Sequence, residues 1–174
     1  MRLVVLIVII GSLGCTTKPI ENKLSLTYPA ISRLKIGLSS PGEIEKIFGN
    51  PTSIKESNGQ SHYHYSDKVT GDERLVLGFN GSNAALVEIL WMPAVTDPEY
   101  QLENAKAHFA GAKFREEEGD RDNPHASFES SKLLIDEKNG ITIRVSRKVK
   151  TVEAIAIYAQ GARGLASPGV DRGD

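Results

Sequence analysis

Residues 74–92 read RLVLGFNGSNAALVEILWM. Leu75, Leu77 and Phe79 alternate with Val76 and Gly78, and Asn80-Gly81 follows at once. That dipeptide suits a two-residue hairpin turn, in which both central residues take positive φ. Residues 84–92 alternate again, with Leu86, Glu88, Leu90 and Met92 opposite Val87, Ile89 and Trp91. Two period-two stretches joined by a hairpin dipeptide predict two antiparallel strands. Just upstream, residues 60–66 set His62 and His64 on one side and Tyr63 and Tyr65 on the other, a third strand of the same kind. A three-stranded meander with one apolar face needs a second layer to cover that face.

The cover is predicted immediately before it. Ile31, Leu34 and Ile36 mark a short helix ending at Gly37. Then Ser40 is placed to cap, Pro41 stands at the first helical position where its missing N–H costs nothing, and Glu43 completes a capping box. Ile44, Ile47 and Phe48 form one apolar stripe, Gly49 closes the helix and Pro51 forbids its continuation.

Beyond residue 93 the order restarts. Asp97-Pro98 opens a predicted helix whose apolar face is Tyr100, Leu102, Ala105 and Phe109, ending at Gly111. A short strand at 113–116, a polar loop at 119–124 and a strand at 126–135 follow, and Glu137-Lys138-Asn139-Gly140 makes a turn. Residues 141–147 alternate apolar and polar without exception, whereas 152–159 is nearly continuous in apolar residues. The fold class expected is therefore α+β, short helices packed on antiparallel β-meanders in two tandem helix-plus-sheet modules, residues 30–93 and 94–160. Residues 161–174, with four glycines, a proline and scattered charges, read as a disordered tail.

The N-terminus belongs to neither module. Met1-Arg2 carries a positive charge, residues 3–10 are unbroken apolar, and Gly11-Ser12-Leu13-Gly14 leads to Cys15. This is the order of a bacterial export signal, and its apolar run is far short of the roughly 20 residues a membrane-spanning helix needs. The site resembles a lipobox: cutting after Gly14 would leave Cys15, the only cysteine, to carry a diacylglyceryl group and further acyl chains such as palmitate. Ser12 and Leu13 stand where Leu and a small residue are usual, so Ser12-Leu13-Gly14 also fits the small-x-small site of plain secretion, and a buried helix is the third alternative. On the first reading 1–14 is a signal peptide and 15–29 a lipidated tether. Thr16, rather than Asp, follows the cysteine; similarity to known lipoproteins then implies the periplasmic face of the outer membrane.

The run Leu38-Ser39-Ser40-Pro41-Gly42-Glu43-Ile44-Glu45-Lys46-Ile47-Phe48-Gly49-Asn50-Pro51, preceded by Gly37, resembles the signature of the SmpA/OmlA (BamE-like) outer-membrane lipoproteins. Arg74 to Phe79 and the aromatic strand at Tyr63-His64-Tyr65 are similar as well. The resemblance implies two helices on a three-stranded sheet, a unit also similar to the repeat of the β-lactamase-inhibitor protein. It implies as partner the barrel-assembly machinery or another envelope protein, and the alternative role is inhibitor or sensor of a periplasmic envelope enzyme. The matching residues also have plain structural uses: helix stop, chain director and core.

Little points to chemistry. Twenty-one basic against 22 acidic residues leave a net charge of −1, so nothing favours nucleic acid. One cysteine excludes an internal disulfide and multi-cysteine zinc modules. His62 and His64 share a strand face at metal-compatible spacing but have no third ligand nearby in sequence, and read as half-exposed sheet histidines. His108 and His125 are isolated, and no Gly-x-Ser-x-Gly elbow occurs. Glu116-Glu117-Glu118 with Asp120 and Asp122, flanked by Arg115 and Arg121, reads as a solvated strand end, with a weak calcium site as the alternative. Arg144, Arg147, Lys148 and Lys150 form a basic patch, a solvated face or a contact for anionic lipid or an acidic partner. The expectation is a non-catalytic binding module with no catalytic residues, no cofactor and no metal, its one site residue being Cys15.

Overall fold

The computed structural model describes residues 25–57, 59–81, 84–118 and 131–159. These form one eight-stranded antiparallel sheet with three short helices, in the spatial order β1-β2-β3-β4-β8-β7-β6-β5. The strands are β1 (Ser53–Ser57), β2 (Gln60–Ser66), β3 (Glu73–Asn80), β4 (Leu86–Trp91), β5 (Arg115–Glu118), β6 (Ser131–Asp136), β7 (Ile141–Ser146) and β8 (Val152–Tyr158). The helices are α1 (Tyr28–Ile31), α2 (Pro41–Phe48) and α3 (Leu102–Ala107).

This corrects the expected fold class. With 42% strand and 18% helix among the described residues, the fold is a broad sheet with small helical additions, and not helices packed on two small meanders. Three local causes account for the shift. Residues 53–57 pair as an extra edge strand, although all five side chains are exposed and show no apolar alternation. The helix expected over 31–37 stops after Ile31, and the chain turns instead through Gly37, which has φ +80°. The helix expected over 97–111 is cut at Gln101, which adopts extended geometry and bridges Thr151, just before β8 of the same half. Only a 3₁₀ turn, Pro98–Tyr100, and α3 remain of it. Asp97 does not cap the turn. Its carboxylate accepts from the Ala94 N–H at 2.8 Å and binds Arg74 at 2.7 Å, tying the exit of β4 to β3.

Other features stand where local chemistry puts them. Around α2 the Ser40 hydroxyl accepts from the Glu43 N–H, and the Glu43 carboxylate accepts from the Ser40 N–H at 2.9 Å. Gly140, at the turn between β6 and β7, has φ +63°; a Cβ there would lie 2.1 Å from the Tyr158 carbonyl oxygen, so only glycine fits.

Each half contributes four strands, and the two meanders meet through their last ones. Glu88 pairs with Tyr158, Ile89 with Ile157, Leu90 with Ala156 and Trp91 with Ile155. Joining equivalent strands antiparallel relates the two meanders by a local two-fold. Directly opposed residues share a face, so the register can be read across the sheet. Tyr65, Leu75, Trp91, Ile155, Ile143 and Leu134 form one continuous row. These side chains join Ile31, Leu34, Ile44 and Ala105 from the helices in a single apolar cluster drawing on both halves. Trp91 anchors it, 1% exposed, with its indole N–H donating to the Leu26 carbonyl at 3.1 Å.

Candidate functional site, the second face of the sheet

Period two sends the intervening residues to the opposite face. Ser53, His64, Val76, Leu90, Ala156, Thr142, Ile135 and Arg115 make one row across all eight strands. Beside it runs Lys55, His62, Gly78, Glu88 and Tyr158. None of α1, α2 or α3 packs here; their core residues belong to the other side. The row is chemically mixed, with aliphatic side chains between hydroxyls, imidazoles and a guanidinium.

Its polar groups are organised. His64 Nδ1 is paired with Glu73. The Ser131 hydroxyl donates to Glu153 at 2.7 Å and accepts from Arg144 Nε at 3.1 Å, and Arg144 stands 3.3 Å from the same carboxylate. Thr142 and Tyr158 share a hydrogen bond of 3.2 Å. Gly78 has a physical reason to lack a side chain. A Cβ there would sit 3.3 Å from the Glu88 Cβ and 3.5 Å from the His62 ring, which close over it from either side. His62 and Glu88 are buried, at 7% and 5% exposure, so the expectation of half-exposed histidines is corrected for His62. Burial, then the neighbouring His64, pushes the His62 imidazole below its usual pKa, against the opposing pull of a Lys55 backbone hydrogen bond and Glu56. The Nε2 atoms of both histidines are buried without a hydrogen-bond partner. Among the described residues no group of three His, Cys, Asp or Glu side chains could hold a metal ion.

At one end of the sheet lies a cleft of about 910 Å³, whose walls include Phe48, Tyr65, Arg74, Met92, Val69 and Val95. The Tyr65 ring packs on Phe48 and its hydroxyl is buried without a partner. Burial, with Glu45 and Tyr63 nearby, raises that phenol well above its usual range. Arg74 is already committed, its Nε donating to the Met92 carbonyl at 2.6 Å beside the Asp97 pair. The cleft walls thus combine apolar side chains with the carboxylates of Asp67, Asp72 and Asp97, and the Arg74–Asp97 pair is spent on holding the strand exit.

The remaining expected positions separate. His108 is not isolated: Nε2 meets Glu99 at 2.9 Å and the ring stacks on Tyr28 at 3.7 Å. Glu116, Glu117 and Glu118 are exposed and pair with Lys132, Arg115 and Arg147 respectively, a solvated ladder at the sheet edge. Arg144 belongs to the second face, while Arg147, Lys148 and Lys150 sit in the exposed turn before β8. Cys15, Asp120, Arg121, Asp122 and His125 lie outside the described residues. Gly78 and Glu88 were the unread signals, a glycine and a carboxylate inside otherwise apolar strands. No protein family, no curated protein and no solved structure matches the chain.

Proposed function

We propose that the protein is a lipid-anchored, non-catalytic binding module of the bacterial envelope, held by Cys15 on the periplasmic face of the outer membrane. There it supports outer-membrane protein assembly or envelope integrity through protein contacts. One observation carries the binding reading: an eight-stranded sheet whose helices all serve one face, while the other carries a mixed polar and apolar row in which Val76, Ala156 and Thr142 are buried and His64, Leu90 and Ile135 are half-buried. Such a surface offers aliphatic contact area at Leu90 and Ile135 with directional hydrogen bonding beside it, the combination interfaces use. The anchor reading rests on the order of residues 1–15, and the barrel-assembly machinery is the candidate partner through the SmpA/OmlA resemblance of residues 37–51.

The test is in-cell photo-crosslinking from positions 90 and 135 on the row, with Lys46 on α2 as the reference position. Discrete adducts with barrel-assembly proteins from the row alone are the expected result. One periplasmic enzyme as the sole adduct moves the inhibitor or sensor role ahead. Adducts from Lys46 but none from the row sink the assignment to this face. Separately, mass spectrometry of the purified N-terminus decides whether Cys15 is acylated.

A further inference from the structure

Two large apolar side chains left in water, Val69 at 93% and Val95 at 76% exposure, line the cleft at the end of the sheet. Phe48, Met92 and Pro93 supply more of its apolar wall. Val69 belongs to the turn between β2 and β3, Val95 follows β4, and Phe48 is the last residue of α2. Three separate elements thus border one space of about 910 Å³, the scale of a site that buries a drug-sized group.

The charge of the cleft is one-sided. Asp67, Asp72, Glu73 and Asp97 line it against only Lys68 and Arg74. Arg74 is taken by Asp97, and Glu73 is paired with His64. The Thr70 and Val69 N–H groups donate to Asp67 at 2.9 and 2.8 Å, which holds its carboxyl below the usual range and keeps it ionised. Asp72 is exposed at the base of the same turn. An occupant that suits these walls is apolar and carries positive charge.

The chain itself enters the fold here. Ser25 and Leu26 are part of the cleft wall. The Ser25 carbonyl accepts from the Thr27 N–H at 2.7 Å, and the Leu26 carbonyl accepts from the Trp91 indole at 3.1 Å, so both are held in place. Directly before them in sequence stands Lys18-Pro19-Ile20-Glu21-Asn22-Lys23-Leu24, two cations and one anion among two aliphatic side chains. Ile20 is five residues from Ser25, a span of at most about 18 Å and enough to cross a cleft of this volume. Pro19 brings no N–H that would need a partner there. The other terminus leaves elsewhere: the Ala159 N–H donates to the Val87 carbonyl at 3.1 Å, near the start of β4, whereas the cleft lies at its end.

We propose that residues 18–24 of the chain dock in this cleft, with Ile20 among Phe48, Val69, Met92 and Val95, and with Lys18 and Lys23 against Asp67 and Asp72. The docking stands on the cleft and the sequence; its consequence rests on the lipid-anchored reading. With the segment docked, only the three steps from Cys15 to Lys18 separate the lipid from the fold, at most about 11 Å. With the segment released, the ten steps from Cys15 to Ser25 reach up to about 36 Å. The cleft thus sets how far from the bilayer the binding face stands.

The test uses the full-length protein purified from membranes, after mass spectrometry has shown whether Cys15 is acylated. An unmodified Cys15 ends the anchor reading and the consequence for reach, without touching the docking. Photoreactive benzoylphenylalanine is placed at position 20, and the protein is mixed with an isotopically labelled copy so that links within and between chains are told apart. Links within one chain to Phe48, Val69, Met92 or Val95 are expected. A contact that exists only because the segment is short is indifferent to charge, whereas docking is not. Lys18→Glu with Lys23→Glu is expected to lower the yield roughly fivefold, and adding Asp72→Lys to recover at least about half of it. With the photoreactive residue at position 95 instead, irradiation in cells is expected to link it to residues 18–24. A yield that ignores the charge reversals overturns the proposal. So do links between two copies, which give the cleft to a second molecule, and an adduct of position 95 with another protein in place of the internal link.

Discussion

The two faces of the sheet differ although they share the same strands. On β4, Trp91 and Ile89 are sealed under the helices, while Leu90 between them is half-buried on the far side. The first face is apolar and held by packing among large side chains. The second mixes the aliphatic Val76, Leu90 and Ile135 with the small residues Gly78, Ala154, Ala156 and Thr142, and His62 and Glu88 close over Gly78. A face that sets small residues and hydrogen-bonded polar groups among its aliphatic ones keeps its shape without demanding a covering layer, which is what a binding surface requires.

The sharpest way to break this comparison is to truncate adjacent residues on opposite faces. Trp91→Ala removes the largest fully buried side chain and the indole bond to Leu26, and is expected to cost about 3–5 kcal/mol. Leu90→Ala, one residue away, is expected to cost about 1–2 kcal/mol, because its side chain is only partly withdrawn from water. Urea denaturation of both variants decides the matter. Equal losses would mean that the second face is itself a core.

A smaller effect separates two glycines that share a backbone conformation. Gly37 and Gly140 both have positive φ, but a Cβ at Gly37 meets nothing within 4 Å, while one at Gly140 strikes the Tyr158 carbonyl. Gly37→Ala therefore carries backbone strain alone, about 1 kcal/mol. Gly140→Ala adds a displacement of β8 and is expected to cost at least about 2 kcal/mol. Thermal melts that rank the two the other way would contradict the close packing of that turn against β8.

How far the sequence revealed this architecture depends on the range of the interactions involved. The capping box of α2 and the alternation of β7 are local, so their residues announce them, whereas the two-residue turn expected at 80–81 is not formed: Asn80 pairs with Gln60 as the last residue of β3, and the positive φ falls on Ala84. The pairing of β4 with β8 is not local, yet a trace of it was present. Residues 152–159 are apolar almost throughout, as befits a central strand with neighbours on both sides. β1 was illegible because its side chains are all exposed and its only reason to be a strand is the edge of β2. The helix over 97–111 was overpredicted because the Gln101 bridge to Thr151 cannot be read from either segment alone. Of the candidate face, the shared orientation of His62 and His64 was legible; the closure of His62 and Glu88 over Gly78 needed three strands in register.

The smallest expected effect is a pH dependence belonging to the second face. The folded His62 imidazole has its pKa lowered from 6.5, chiefly by burial and further by His64. In the unfolded chain the ring binds a proton near its ordinary value, so between the folded value and pH 6.5 the unfolded state holds more protons. Stability from this source is complete above pH 6.5, falls as the pH drops through that value, and levels off below the folded pKa. His64 and Glu56 act on the ring directly, and Glu88 faces it across Gly78, so a titration of the native protein alone mixes several contributions. The difference between the native protein and His62→Gln isolates the one in question. Denaturation midpoints at pH 7.5 and 5.5 should fall further for the native protein than for the variant. Parallel falls would mean that His62 reaches water in solution and that the polar closure over Gly78 opens, leaving the Ser131–Arg144–Glu153 network and the Thr142–Tyr158 bond as the second face's ordered polar contacts.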